Sequence, residues 1–151
     1  MRIIALALAL LFVSAPAFAD DESASALHKK GMALKNQGKD DEAIVAFEAA
    51  VAKDPKIGMS WASLGHLYKK KKDYEKAAHA YERASEILPK DDIVWENLGT
   101  SYFYLKREDE AIVAYEKACR LNPKNAEVRN NLGMLYRKKG EHKKAIVQLE
   151  R

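Results

Sequence analysis

Gly31, Gly65, Gly99 and Gly133 recur every 34 residues, and further columns of small, aromatic and proline residues keep the same interval. Ala43, Ala77, Ala111 and Ala145 form one column, and Phe47, Tyr81, Tyr115 and Leu149 a second. Ala50, Ala84 and Ala118 form a third, and Pro55, Pro89 and Pro123 a fourth. A fixed period of this length belongs to chains built from repeated units, each too small to bury its own apolar side and therefore obliged to stack on the next. Within one unit, Trp61, Leu64, Gly65 and Tyr68 lie at helical spacing, and Ala77, Tyr81 and Ala84 do so again after a short polar break. Two amphipathic helices per unit follow. Gly65 and Ala77 are small where the paired helices must approach closely, Trp61 and Tyr81 fill the space beside the crossing, and Pro89 discourages further helix.

The unit W-A-S-L-G-H-L-Y at 61–68, A-A-H-A-Y-E-R-A at 77–84 and Pro89 closely resembles the tetratricopeptide repeat. W-E-N-L-G-T-S-Y at 95–102 and A-I-V-A-Y-E-K-A at 111–118 match it equally well. The resemblance covers 24–151, as repeats 24–57, 58–91, 92–125 and an incomplete 126–151. It implies an all-α fold, a right-handed solenoid of antiparallel helix pairs. The end units depart from the pattern. Leu27, Lys30 and Leu34 stand where the middle units have Trp, Leu and Tyr, and Arg129 stands in the Trp column. Atypical outer repeats are expected where one side meets solvent. The last helix, carrying Ile146 and Leu149, lacks a following helix to cover it. A partner subunit or a second copy covering that edge is one expectation.

Residues 1–19 are of another kind. Arg2 precedes an unbroken apolar run from Ile3 to Val13, and Ala17-Phe18-Ala19 offers a small-x-small cleavage site. This pattern predicts a secretory signal peptide, mature protein beginning near Asp20 with a short tail over 20–23, and residence in a periplasm or, alternatively, secretion. No cysteine follows the run to take a lipid anchor, and no second long apolar stretch predicts stable membrane insertion. Without Arg2 the balance is 25 Lys and Arg to 22 Asp and Glu, a net +3. So mild an excess, with acids and bases interleaved, argues against a nucleic-acid partner.

The expected chemistry is binding rather than catalysis, with no cofactor and no metal. His28, His66, His79 and His142 occupy different columns, and Cys119 is the lone cysteine, in the column of Val51 and Ser85, where a buried structural role is expected. Ser63 and His66 lie three apart, but no neighbouring acid orients the histidine and no strand-turn-helix elbow presents the serine. Lys69 to Lys72 close the first helix of their unit, where cations complement exposed carbonyls, and a solvated helix end is the simplest reading.

With Trp61, Leu64 and Tyr68 facing the stack, residues half a turn away face outward, and the family resemblance makes that side the lining of a concave groove. The stripes are Met59, Ser63, His66 and Lys70; Ile93, Asn97, Thr100 and Tyr104; Glu127, Asn131, Met134 and Lys138; and Ser25, Lys29, Met32 and Asn36. Every methionine after the initiator lies on them. Flexible thioethers suit a surface that moulds to apolar partners. Asn97 and Asn131 share a column that resembles part of the asparagine ladder in the repeats of the enzyme that adds N-acetylglucosamine to Ser and Thr, and packing between repeats is the other role open to them. The carboxylate clamp of chaperone-binding members is not reproduced. His28, Met32, Ser63, Ile93 and Asn97 stand where it needs Lys, Asn, Asn, Lys and Arg. The expected function is an exported, non-catalytic interaction module that holds a peptide or partner helix, mildly acidic in character, during cell-envelope assembly or transport. The alternative is a structural subunit joined to a larger envelope complex through Ile146 and Leu149.

Overall fold

The computed structural model describes residues 22–149, which contain eight helices and no strand. They are α1 Ala24–Asn36, α2 Asp40–Lys53, α3 Gly58–Lys70, α4 Tyr74–Ile87, α5 Asp92–Tyr104, α6 Glu108–Leu121, α7 Ala126–Lys138 and α8 His142–Leu149. Each odd helix pairs with the even helix after it, and each even helix packs on the next odd one, so contacts run from neighbour to neighbour as in a solenoid. The export segment inferred from residues 1–19 lies outside the described residues.

The repeating small residues set the helix crossings. A Cβ built on Gly65 would lie 2.8 Å from the ring of Tyr81, and one on Gly99 would lie 2.7 Å from Tyr115. Gly31 meets Phe47 at the same 2.7 Å. A bare Cα therefore carries an aromatic face in three successive hairpins. Ala43, Ala77 and Ala111 are fully buried beside them. This close approach seats each aromatic ring directly on backbone and gives the 34-residue period its structural reason.

The turn inside each hairpin repeats as well. Gly38, Lys72, Lys106 and Gly140 share one column, and all four have φ between 62° and 76°. In each case the next residue's N–H reaches back to a carbonyl in the preceding helix, as in Asp73 N to Tyr68 O at 2.9 Å and Arg107 N to Tyr102 O at 3.0 Å. The left-handed residue thus closes the helix by satisfying carbonyls that would otherwise be orphaned. Glycine does this freely in the outer repeats, whereas lysine is strained in the inner two. Lys72→Gly should therefore raise stability, by about 0.5–1 kcal/mol, the strain relieved exceeding the entropy glycine adds to the unfolded chain. Urea unfolding checks this. Lys106→Gly should gain less, since the Lys106 ammonium lies 5.8 Å from the Phe103 ring centre.

Helix starts use two devices. Ser23, Asp73, Asp91 and Asn125 accept a hydrogen bond from the backbone N–H three residues on. α2 and α6 lack such a cap but open with three acids each, Asp40-Asp41-Glu42 and Glu108-Asp109-Glu110, which favour the positive end of the helix dipole.

Junctions between repeats carry recurrent polar ties. Tyr68, Tyr102 and Tyr136 donate to Glu48, Glu82 and Glu116 of the preceding repeat. Trp61 and Trp95 donate from Nε1 to the carbonyls of Pro55 and Pro89 at 3.0 and 3.1 Å. Arg129 makes the same tie to Pro123 at 2.9 Å, so this departure from the repeat pattern preserves the donor while giving up the indole. Cys119 is a free, half-buried thiol, whereas its column mates Val51 and Ser85 are buried. The slimmer Arg129 stands near its sulfur at the point where the other junctions have tryptophan.

Candidate binding groove

The outward faces of α1, α3, α5 and α7 line one side of the solenoid. Between α3 and α5 they enclose a hollow of about 240 Å³, lined among others by Met59, Ser63, His66, Ile93 and Asn97. Lys35, Ala62, Tyr81, Asp91 and Val94 complete its walls. The rim is apolar and open, with Met59 55% and Ile93 62% exposed. Farther along, Tyr104 and Met134 are exposed, while Met32, Thr100 and Asn131 are half-buried.

Four of the anticipated contact residues have different surroundings from those expected. Ser63 is only 8% exposed, and its hydroxyl donates to the Met59 carbonyl at 2.8 Å and lies 3.9 Å from the Met32 sulfur. The neighbouring repeat covers it, so it offers no free group to a ligand. Asn97 lines the hollow, but its amide is engaged at both ends: Nδ2 donates to the Ile93 carbonyl at 2.8 Å and Oδ1 accepts from Lys69. Asn131 is half-buried near the Tyr115 hydroxyl. Thr100 accepts from Tyr115 at 3.1 Å and donates to the Glu96 carbonyl at 2.9 Å. Ser63, Asn97 and Thr100 are thus engaged within the fold, while Met59, Ile93, Tyr104 and Met134 face outward.

Lys70 and Lys138 also have partners in the preceding repeat, Asp40 and Glu108. The equivalent column in the middle repeat replaces the ion pair by an aromatic one, Tyr104 stacked on Tyr74 with ring centres 4.4 Å apart. One pair of positions therefore ties successive repeats by charge, by stacking and by charge again. Lys71 and Lys139 add exposed pairs to Asp41 and Asp109. The run from Lys69 to Lys72 is thus a largely exposed helix end that also supplies inter-repeat ties and one turn residue. Being exposed, the ion pairs fix register more than they add stability.

Both signs of charge stand at the hollow: Lys35 and Asp91 line it, Lys69 is bonded to Asn97, and Lys70 is paired with Asp40. His66 is pulled below its ordinary pKa by partial burial first and then by Lys35, Lys69 and Lys70, against an opposing pull from Asp40. Lys35 and Lys69 occupy the column next to the anticipated stripe. The residues half a turn from the tryptophan point one way only on an isolated helix, so the stripe alone did not include them.

Among the described residues, no group of three or more His, Cys, Asp or Glu could hold a metal ion, and no helix is long and apolar enough to cross a membrane. Paired helices stacked from neighbour to neighbour, with an open and partly apolar face, define a helical-repeat scaffold of the kind that serves protein–protein interaction. Tetratricopeptide repeat models match residues 24–57 and 59–91, and a TPR repeat model matches 99–140. The chain belongs to the tetratricopeptide repeat family.

No curated protein sequence matches it significantly. Among solved structures, MamA AMB-1 is 25% identical with a TM-score of 0.80, over 87% of this chain and 72% of that one. MamA from Desulfovibrio magneticus RS-1 is 26% identical with a TM-score of 0.73, over 85% and 72%. The first TPR of Spaghetti (RPAP3), bound to the HSP90 peptide SRMEEVD, is 26% identical with a TM-score of 0.71, over 80% of this chain and 96% of that one.

Proposed function

We propose that the α3–α5 hollow binds an extended peptide or the end of a partner helix that pairs an apolar side chain with a carboxylate. The observation that carries this reading is the juxtaposition of two exposed apolar side chains, Met59 and Ile93, with the cationic groups of Lys35, which lines the hollow, and Lys69, which is bonded to Asn97 there. Water leaves the Met59 and Ile93 surfaces on contact, and the lysines favour an acid at the rim. The peptide-bound structure of the RPAP3 repeats supports a groove of this kind as a peptide site, with a ligand that carries both methionine and acids. The positions of the carboxylate clamp hold other residues here, so recognition of the terminal carboxylate by that arrangement is not part of the proposal. The same module works outside the cytoplasm, in envelope assembly or transport, a reading supported by Arg2, the Ile3–Val13 run and Ala17-Phe18-Ala19.

Selection of random heptapeptides displayed on phage tests the groove. Enriched sequences should combine Met, Leu, Ile or Phe with Asp or Glu, and Ile93→Asp should weaken their binding at least about tenfold, as loss of a central apolar contact does. Equal binding by the Ile93→Asp protein would remove the proposal. A second reading, a structural subunit joined through the last helix, is supported by Ile146, 51% exposed where its counterparts Ile44 and Ile112 are buried. Leu149, the other residue of that edge, has its side chain outside the described residues. Ile146→Ser should spare peptide binding and impair such a junction.

A further inference from the structure

The hollow between α3 and α5 contains two nitrogen groups that the fold leaves unpaired. Lys69 donates to the Asn97 side chain of the next repeat. Its counterpart Lys35 has Ser63 at the equivalent place, and that hydroxyl is turned to the Met59 carbonyl. Lys35 is half-buried, lines the hollow and, among the described residues, makes no ion pair or hydrogen bond. His66 lines the same hollow with an exposed ring that makes no hydrogen bond among the described residues either. Both share the hollow with the exposed Met59 and Ile93.

The charges around His66 come from each element that surrounds it. Lys35 of α1 acts on the imidazole more than Lys69 and Lys70 of α3 do, and Asp40, opening α2, opposes them least strongly of all. Lys70 and Asp40 are themselves joined at 2.5 Å, so the two largely cancel. Asp91, just ahead of α5, accepts from the Val94 N–H at 3.1 Å. Partial desolvation first, and these cations second, hold the imidazole below its ordinary range. A carboxylate brought in by a ligand would supply the counter-charge that Lys35 and His66 lack within the fold.

We propose that Lys35 and His66 together receive a carboxylate of a peptide bound in this hollow, and that the peptide binds with uptake of one proton at His66. This rests on the peptide reading of the groove and adds to it the residues that hold the acid. Lys35 supplies a fixed cation. The imidazole takes a proton from solvent as the carboxylate arrives, and its ring N–H then donates to a carboxylate oxygen. An apolar side chain of the same peptide covers Met59 and Ile93. The complex therefore holds more protons than its separated parts, so affinity rises as pH falls through the bound imidazole's range and levels off below the free one's. The peptide's own acids titrate near about 4, beneath that window.

Isothermal titration calorimetry at pH 8 and pH 5.5, with the heptapeptide most enriched by the phage selection, tests this. The parent protein should bind it at least about threefold more tightly at the lower pH. His66→Gln should bind it equally at both, although His28, His79 and His142 remain. Replacing the Asp and Glu of the peptide by Asn and Gln should flatten the parent's profile in the same way. Lys35→Gln should weaken the acidic peptide at both pH values and, in the free protein, raise the His66 pKa as followed by NMR of the imidazole Cε1 proton. Parent affinity that does not change with pH, or a change that survives His66→Gln, would overturn the proposal and leave the peptide groove standing. A selection that enriches no peptide would remove both.

Discussion

Gly99→Val is expected to destabilise the protein by about 2–3 kcal/mol and to lower the melting temperature by about 10 °C. The added Cβ alone would lie 2.7 Å from Tyr115 Cδ1 and 2.8 Å from Cε1, inside van der Waals contact. Tyr115 has little room to yield. Its ring is 1% exposed, and its hydroxyl is held by Thr100 at 3.1 Å. Overpacking of this kind costs about 1–3 kcal/mol. Alanine at the same position recovers about 1 kcal/mol through helix propensity and should come out near 1 kcal/mol destabilised, while valine recovers less and adds two more methyl groups. Gly65→Val should behave alike against Tyr81. Gly38→Ala provides the contrast, since nothing lies within 4 Å of its added Cβ and only the left-handed backbone, φ 74°, opposes it. A loss of about 1 kcal/mol is expected there. Urea unfolding of the set separates crowding from backbone strain. A near-neutral Gly99→Val would mean the crossing is looser than the geometry implies.

What the sequence made legible, and what it left hidden, divides along the same line. Columns of Gly, Ala and aromatic residues report contacts inside one hairpin, because each repeat must solve the same packing problem with the same volumes. The pairings of Gly65 with Tyr81 and Gly99 with Tyr115 are of this type. Contacts between repeats are less visible, since two different residue pairs can tie one junction: Lys70 with Asp40, but Tyr104 with Tyr74. Helical phase puts Ser63 on the groove side, where it lines the hollow, but its burial comes from the adjoining repeat, which phase does not encode. Asn97 was free to read either way until Lys69 was placed on its amide oxygen. The left-handed turn at Lys72 and Lys106 was present in the sequence as their shared column with Gly38 and Gly140. A lysine there gives no hint of positive φ without the glycines at either end.

The central junction is where stability and cooperativity meet. Tyr102 of α5 donates to Glu82 of α4 at 2.6 Å, and the guanidinium of Arg107 lies 4.5 Å from its ring centre. Burial, with the carboxylate bond second, pushes the phenol pKa up, so the hydroxyl remains a donor throughout the accessible pH range. Tyr102→Phe removes only that bond and should cost about 1–1.5 kcal/mol. Tyr102→Ala also empties most of a buried ring site and should cost about 3–4 kcal/mol. Its location gives the larger change a second signature. Helices here contact chiefly their chain neighbours, so the α4–α5 interface is the main coupling between the first two repeats and the last two. Weakening it should allow the halves to unfold separately, which lowers the apparent denaturant dependence and splits or broadens the transition. The remaining polar and aromatic ties at this junction, Trp95 to the Pro89 carbonyl, Lys69 to Asn97 and Tyr104 on Tyr74, are too few to restore a single sharp transition. Urea titrations followed separately by tryptophan fluorescence and by circular dichroism should coincide for the parent protein and diverge for Tyr102→Ala. Coincident curves for the variant would place the coupling elsewhere in the array.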